Sequence, residues 1–211
     1  MDEANHRWKY YNRNTLRIIM KKIQILTVFM MLICSLASCQ TIADLETTYP
    51  INTPNTYYKD IGNNLSAYEG TWVHDDGVNY IKIVLVKKIK FPVWQYFEDT
   101  IIGGFLYKKN GVELINNLNT INSIQTHPIK YPISGNRLGD ISRLNPFHQY
   151  TSDNKRIDLS FVENGCYSDI NVRTLTLNGQ PAIQIAKFKT AELWQPCSPI
   201  IPEGFYYLIK Q

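Results

Sequence analysis

The residues whose types and spacing best suit chemistry are a histidine and two aspartates in a row, His74, Asp75 and Asp76. Imidazole and carboxylate groups ligate metal ions, so the cluster is a candidate metal site. The cluster also runs into Gly77, and aspartate followed by glycine is favoured in tight turns for conformational reasons alone. We interpret the cluster as the end of a strand at a hairpin turn, and we predict neither a metal nor another cofactor.

Catalytic signatures are missing from the rest of the sequence. It contains no Walker loop, GxSxG elbow, HExxH pair, dinucleotide fingerprint or EF-hand loop. His127 and His148 lie close to prolines, and the carboxylates Glu98, Asp99 and Glu163 have no spacing that pairs them for acid–base work. We therefore predict no catalytic residue and do not expect an enzyme.

The stretch that ends at Cys39 has the order of an export signal. Lys21 and Lys22 precede an apolar run that closes on the residues LASC at 36–39. This order of charge, apolar run and small residues is typical of a secretory signal. The last four residues resemble the bacterial lipobox, which implies that Cys39 is lipidated through its sulfur and becomes the first residue of the mature chain.

An uncleaved membrane helix and a soluble secreted protein are the alternatives to a lipoprotein. The 16 residues from 23 to 38 fall short of the roughly 20 that a spanning helix needs, and a membrane helix would leave Cys39 unexplained. Residues 1–19 make a long leader, so Met20 is the more natural start. Gln40 stands where inner-membrane lipoproteins of enteric bacteria carry aspartate, which predicts lipid-anchored placement in the outer membrane.

The charge balance changes once the leader and signal peptide, residues 1–38, are set aside. The whole chain carries 22 basic and 18 acidic residues, but six of the basic and two of the acidic ones lie in that segment, which leaves 16 of each. Nucleic-acid binding requires a basic excess or a basic stripe. We therefore predict no nucleic-acid partner, and we expect contact with a membrane through the N-terminal lipid.

Cys166 and Cys197 remain after export as an even pair. Disulfides persist in the compartments that an exported chain reaches, and a bridge would close a loop of about 32 residues, worth roughly 3.7 kcal/mol on the chain-entropy model. Neither cysteine has a CxxC partner or a nearby histidine, which argues against a metal site. We predict a disulfide, with two free thiols as the alternative.

Residues 39–69 are predicted to form the lipid anchor and a flexible tether. They are rich in Asn and Thr and carry Pro50 and Pro54 without a sustained apolar period, which is typical of extended loops. As a flexible coil, the 29 residues from 40 to 68 would reach about 30 Å. A single β domain is then expected over 70–211.

That domain is predicted to consist of short strands joined by hairpins. Asx-Gly pairs at 76–77, 110–111 and 178–179 separate apolar runs and are strong turn signals. The alternation over 156–161 indicates a half-buried strand. We predict an all-β fold, an antiparallel meander closed as a lipocalin-like barrel, with a β-sandwich as the alternative.

Two positions in this domain predict irregular strands. The pair Gly103 and Gly104 indicates a bulge or a sharp bend within an apolar run. The apolar residues change parity at Leu175, which predicts a bulge near residues 173–174.

Gly70, Thr71 and Trp72 are similar to the GxW motif that opens the first strand of lipocalin-like barrels. The resemblance implies that Trp72 packs across the closed end of the barrel and that the barrel encloses an apolar cavity. With the lipobox and the late cysteine pair, the chain also resembles a family of small, uncharacterised lipoproteins from Bacteroidetes-type bacteria. That second resemblance implies no activity.

Two functions are compatible with these predictions. In the first, a lipid-anchored envelope protein binds a small apolar ligand in its barrel, with Trp72, Trp94 and Trp194 among the residues that line the cavity. Ordinary aromatic core packing is the alternative interpretation of these residues. In the second function, the domain is an interaction or scaffold module without a cavity, and its surface or sheet edge meets another envelope protein. An interior filled by side chains would remove the first.

Overall fold

The computed structural model describes residues 19–29, 40–46, 53–139, 156–187 and 198–211. The chain divides into two compact units, Met1–Gln40 and Thr41–Gln211. In the first unit, residues 19–29 form an α-helix. Within the described part of the chain, no helix combines the length and the apolar character that crossing a bilayer requires.

The described part of the second unit consists of strands and short 3₁₀-helices. The strands are β1 (Thr41–Asp44), β2 (Thr56–Lys59), β3 (Gly70–Asp75), β4 (Asn79–Val93), β5 (Tyr96–Lys109), β6 (Val112–Asn116), β7 (Ile133–Gly139), β8 (Arg156–Glu163), β9 (Cys166–Leu177), β10 (Gln180–Lys187) and β11 (Gly204–Lys210). The 3₁₀-helices span Asn64–Tyr68, Leu118–Asn122 and Pro128–Lys130.

Eight of the strands form a closed antiparallel barrel. The ring follows the chain as β3, β4, β5, β7, β8, β9, β10 and β11, and it closes where Ile209 and Lys210 pair with Val73 and Trp72. β6 pairs with β5 outside the ring, and β2 and β1 extend the sheet from β5 by parallel pairing. The predicted all-β barrel is confirmed, and the β-sandwich alternative does not describe this fold.

Asparagine–glycine pairs form three of the two-residue turns, at 110–111, 164–165 and 178–179. Both residues of each pair have positive φ. Asparagine and glycine adopt this left-handed conformation at little cost, and it matches the twist of the flanking strands. The turns predicted at 110–111 and 178–179 are confirmed. The predicted two-residue turn at Asp76 is a three-residue connection, 76–78.

Apolar side chains from every ring strand are buried in the barrel interior. Phe105 and Phe161, from strands that are not neighbours in the ring, stack with their ring centroids 4.5 Å apart. An eight-stranded barrel is just wide enough for side chains to fill it. The buried ring residues of this core are Trp72, Ile81, Ile83, Leu85, Ile101, Phe105, Tyr107, Ile133, Ile157, Leu159, Phe161, Ile170, Val172, Ile183, Ile185 and Leu208.

Close approach of the backbone, and not a bulge, explains the glycine pair in β5. Gly103 and Gly104 both stay in register with β4. A Cβ on Gly103 would lie 2.6 Å from the carbonyl oxygen of Val84, and one on Gly104 would lie 2.8 Å from that of Asn117. Glycine is required where another backbone comes this near. Of the bulge or sharp bend predicted here, the bulge is wrong, and so is the bulge predicted near 173–174, where β9 keeps a continuous register with β10.

The described residues 41–46 and 53–69 belong to the folded unit, so the prediction of a flexible tether is wrong for them. β1 and β2 join the sheet, and Leu45, Tyr58 and Leu65 are buried in the same core as the barrel. These elements are too short to show an apolar period of their own, because each packs only a few side chains against the barrel.

Candidate functional site

Trp72 lies at the end of the barrel where β3 begins and β11 ends. Its side chain is buried, and the indole Nε1–H donates a hydrogen bond of 2.9 Å to the carbonyl oxygen of Tyr68. Tyr68 and Leu65 belong to the 3₁₀-helix that precedes β3, and both are buried. A buried indole N–H needs a hydrogen-bond acceptor, and the helix carbonyl supplies one.

The other two residues of the GTW motif, Gly70 and Thr71, lie against Lys210 and Gln211. Lys210 pairs across from Trp72, and its Nζ lies 5.1 Å from the indole centroid, within range of a cation–π interaction. Gly70 has a φ of 138°, and a Cβ there would lie 2.7 Å from Cε of Lys210. The carbonyl oxygen of Thr71 accepts a hydrogen bond of 2.9 Å from the N–H of Gln211. The motif thus joins the first and last ring strands.

A short segment, residues 198–203, lies at the opposite end of the barrel, where β11 begins. We call it the strap. Ile201 of the strap is buried in the barrel core, and Ile200 packs against that core. The hydroxyl of Tyr206 donates a hydrogen bond of 2.7 Å to the carbonyl oxygen of Pro202. The strap therefore covers this end with apolar side chains.

A buried ion pair binds the strap to the barrel wall. Nζ of Lys187 lies 2.6 Å from Oε1 of Glu163, and the two side chains are 3% and 1% exposed. Oε2 of Glu163 accepts hydrogen bonds from the N–H groups of Ile200 and Ile201, at 3.1 and 2.8 Å. Nζ of Lys187 also donates to the carbonyl oxygen of Ile201, at 2.8 Å. Buried charges need such partners, because desolvation is otherwise too costly.

Sequence reasoning treated Glu163 as a scattered carboxylate and did not single out Lys187. The positions of the two residues along their strands could have identified them, because both fall on the side that faces the core. Glu163 continues the buried alternation of β8, and Lys187 has the same parity on β10 as Ile183 and Ile185. A charge with inward parity at the end of a strand predicts an opposite charge on another strand of the ring.

A second group of buried charges joins β2 to the β4–β5 hairpin. Oδ1 of Asp99 accepts hydrogen bonds from the hydroxyl of Tyr57 at 2.6 Å and the N–H of Lys90 at 2.8 Å, and Oδ2 accepts one from the N–H of Asp60 at 2.9 Å. Asp60 in turn lies 2.7 Å from Nζ of Lys87. Burial, and then the hydrogen bond to Asp99, raises the pKa of Tyr57 above its usual range. These groups form a structural cross-link.

Glu98 lies beside this cross-link and is buried. Burial raises the pKa of its carboxyl, a hydrogen bond with Asn136 opposes the shift, and the negative charge of Asp99 adds to it, so that the pKa is about 7. A carboxyl that titrates near neutral pH is a candidate acid or base when it faces a cleft. Here its neighbours are the groups that join β2 to the β4–β5 hairpin, so we assign Glu98 a structural role and not a catalytic one.

The histidine–aspartate cluster forms a capped turn, as its sequence indicated. Nδ1 of His74 lies 3.0 Å from the carbonyl oxygen of Tyr207, and Nε2 lies 3.5 Å from Oδ2 of Asp76. Hydrogen bonds from Asn79, and then from Val78, hold the pKa of Asp76 well below its usual range. In the described ranges, no three or more His, Cys, Asp and Glu residues are grouped so as to hold a metal ion.

Two of the three tryptophans suggested as cavity lining, Trp72 and Trp94, lie in the described part of the chain, and they do not come together. Trp72 packs in the core. Trp94 lies outside the barrel, in the turn between β4 and β5, and is 79% exposed. Its ring centroid is 5.1 Å from that of His127. The suggestion that Trp94 lines the interior is wrong, and Trp194 and His148 lie outside the described residues.

Two of the three cysteines with a predicted role, Cys39 and Cys197, lie outside the described residues. Cys166 begins β9, is buried, and pairs across the β8–β9 turn with Glu163. The strap begins one residue after Cys197 and binds Glu163. The chain therefore brings the neighbours of both cysteines to the same end of the barrel, and the disulfide itself stays a prediction.

Comparison with known proteins adds a family but no activity. No curated protein and no solved structure matches the chain. A family model matches residues 20–211, a span that includes all the strands of the barrel. On this match, the chain belongs to DUF6705, a family of unknown function.

Proposed function

We propose that this chain is a lipid-anchored protein of the cell envelope whose barrel serves as an interaction module. The packed interior carries the proposal, because the inward side chains of all eight ring strands are buried and Phe105 stacks on Phe161 among them. A barrel of this size either fills with side chains or holds one small ligand. Because buried side chains from every ring strand occupy this interior, we place the binding of a partner on the outer surface.

β6 supplies a suitable surface for a protein partner. It pairs with β5 outside the ring, and the side chains of Val112 and Leu114 are exposed, Val112 by 61%. Exposed apolar side chains on a strand outside the barrel suit a partner that adds a strand or packs an apolar face there. The partner class we propose is another protein of the envelope.

Photocrosslinking in the native host tests this surface. A photoreactive amino acid at Val112 or Leu114 of the full chain is expected to give a discrete adduct with an envelope protein. Val78, an exposed apolar residue in the β3–β4 connection, is the matched control position. A chain that forms no adduct at either β6 position, and that stays monomeric in native mass spectrometry, would count against the module.

The lipid anchor is the second part of the proposal. It rests on the lipobox at 36–39 and on the folded unit beginning at Thr41, two residues after Cys39. Mass spectrometry of the N-terminal peptide is expected to find an acylated Cys39. Cys39→Ala should release the chain from membranes. Recovery of the native protein in the inner-membrane fraction would overturn the outer-membrane placement.

The strap favours a second candidate function, the binding of a small apolar ligand inside the barrel. It covers one barrel end and is attached through Glu163 and Lys187, so on this hypothesis the ligand enters when the strap lifts and core side chains repack. Native mass spectrometry on protein purified from its host without detergent should then find an added mass that disappears on denaturation. A bare mass in repeated preparations removes this candidate.

A further inference from the structure

The turn between β4 and β5 differs in composition from the other two-residue turns. The turns at 110–111, 164–165 and 178–179 are asparagine–glycine, whereas Trp94 and Gln95 form this one. Trp94 has a φ of 48°, a conformation that a bulky residue adopts only at a cost. Its indole is also largely exposed, so packing does not offset that cost. Neither the turn geometry nor the core explains a tryptophan here.

The ring of His127 lies against Trp94, and the loop that contains His127 carries other apolar groups. In that loop, Ile124 and Ile129 are exposed, Ile124 by 99%. Burial, and then the charge of Lys130, lowers the pKa of His127, which favours the neutral form of its ring. We call Trp94, His127, Ile124 and Ile129 the Trp94 tip.

The beginning of the folded unit lies next to the Trp94 tip. The N–H of Thr41 donates a hydrogen bond of 3.0 Å to Asn55, whose N–H donates one of 3.0 Å to the carbonyl oxygen of Gln95. Each of these two hydrogen bonds joins neighbouring segments that lie about 4.8 Å apart, so Thr41 lies roughly 10 Å from Gln95. Cys39 precedes Thr41 by two positions, and two residues of chain span at most about 7 Å. A lipid on Cys39 would thus enter the membrane close to the tip.

Cationic side chains accompany these apolar ones. Lys90 lies in the irregular part of β4 just before Trp94, with its Nζ 5.3 Å from the ring centroid of Phe97. Lys130 follows Ile129 and donates a hydrogen bond of 3.1 Å to the hydroxyl of Thr126. An apolar tip beside lysines is complementary to a bilayer surface that carries anionic headgroups.

We propose that the Trp94 tip contacts the lipid surface to which Cys39 is attached, with the indole at the level of the headgroups. Tryptophan favours this level of a bilayer because its ring is apolar and its N–H is polar. The inference rests on the lipidation of Cys39 proposed above. Since Trp94 and the strap lie at opposite ends of the barrel, this contact turns the strap away from the membrane.

Fluorescence quenching by brominated lipids tests the contact. The full chain, processed in its host, is reconstituted into vesicles of phosphatidylethanolamine and phosphatidylglycerol, with and without bromine on the acyl chains. Brominated lipid is expected to quench part of the tryptophan emission, and Trp94→Phe should lose most of that quenched part. Val78→Glu, at an exposed position in the β3–β4 connection, is the control and should keep it. Ile124→Glu, at an exposed position, should weaken the quenching of Trp94 without disturbing the core.

The mass of the Cys39 peptide from the same preparation separates the two proposals. An acylated Cys39 together with equal quenching in the wild type and Trp94→Phe would overturn the tip contact and leave the anchor standing. An unmodified Cys39 would overturn both. Shielding of Trp94 by a co-purifying protein, with no effect of brominated lipid, would replace the membrane with a protein partner and would also overturn the inference.

Discussion

Replacing Glu163 by glutamine should lower the free energy of unfolding by about 3–5 kcal/mol, the usual loss when one partner of a buried ion pair is removed. The change keeps the size of the side chain but leaves Nζ of Lys187 buried without its counter-charge. The amide oxygen can still accept a hydrogen bond from the strap, so the loss comes chiefly from charge. In a folded unit of this size each kcal/mol shifts Tm by roughly 2–4 °C, so the midpoint should fall by roughly 6–20 °C.

Thermal and urea denaturation of the full chain, followed by circular dichroism, measures this effect. Glu203→Gln makes the same chemical change at an exposed position of the strap, and it should stay within about 0.5 kcal/mol of the wild type. Lys187→Met alone should also destabilise the fold. The double variant Glu163→Gln/Lys187→Met should lose less than the two single changes together, because an apolar replacement of a whole buried pair is often close to neutral.

Two results would refute this reasoning. One is a Glu163→Gln protein that is as stable as Glu203→Gln, and the other is strict additivity of the Glu163 and Lys187 changes. Hydrogen exchange gives a local check, since the amides of Ile200 and Ile201 donate to Glu163 and should exchange faster in the variant while the core amides of the barrel stay protected.

Three further predictions concern the rest of the folded unit. The pKa of Glu98 is raised from 4.5 to about 7 on folding. Its contribution to stability is therefore complete below pH 4.5 and is lost as pH rises through 7, by at most about 3 kcal/mol. Glu98→Gln should flatten the pH dependence of Tm, and an unchanged profile would contradict this. Gly103→Ala should lower the free energy of unfolding by about 1–3 kcal/mol, because the new Cβ meets backbone atoms. Gly139→Ala is the control and should not destabilise the fold, since its Cβ would lie 3.6 Å from its nearest neighbour. Equal melting points of the two variants would contradict the steric argument. Alkylation without reductant should leave Cys166 and Cys197 unlabelled, and two labels would reject the disulfide.

The parts of the fold that could be predicted are those with local causes. Asn110 and Asn178 predict their turns because asparagine followed by glycine adopts the left-handed conformation that a two-residue hairpin needs. Alternation predicts β8 because one face of that strand lies in the core. The sequence of β1, β2 and the 3₁₀-helix Asn64–Tyr68 predicts a tether, and that prediction fails because burial of Tyr58 and Leu65 depends on a barrel surface formed by residues far along the chain.

The candidate site shows the same division. Trp72 could be singled out because GTW is a local pattern. Glu163 and Lys187 could not be paired from sequence, since they lie on β8 and β10, which are separated in the ring by β9, and their side chains meet inside the barrel. The exposure of Trp94 could not be predicted either. It depends on the position of the residue in the β4–β5 turn, and the amino-acid composition of that segment does not indicate a turn.

In the described part of the chain the two ends of the barrel carry different groups, and this difference bears on function. The Trp72 end has apolar packing and an indole hydrogen bond, whereas the strap end carries two buried charges in addition to Ile201. A buried ion pair is seldom more stable than apolar residues of the same volume, so closure alone does not require Glu163 and Lys187. The charges fix one position of the strap by binding both the N–H and the carbonyl oxygen of Ile201. If that position is permanent, the barrel acts through its outer surface. If Glu163→Gln lets the strap lift and an added mass appears in the native spectrum, the interior becomes the binding site.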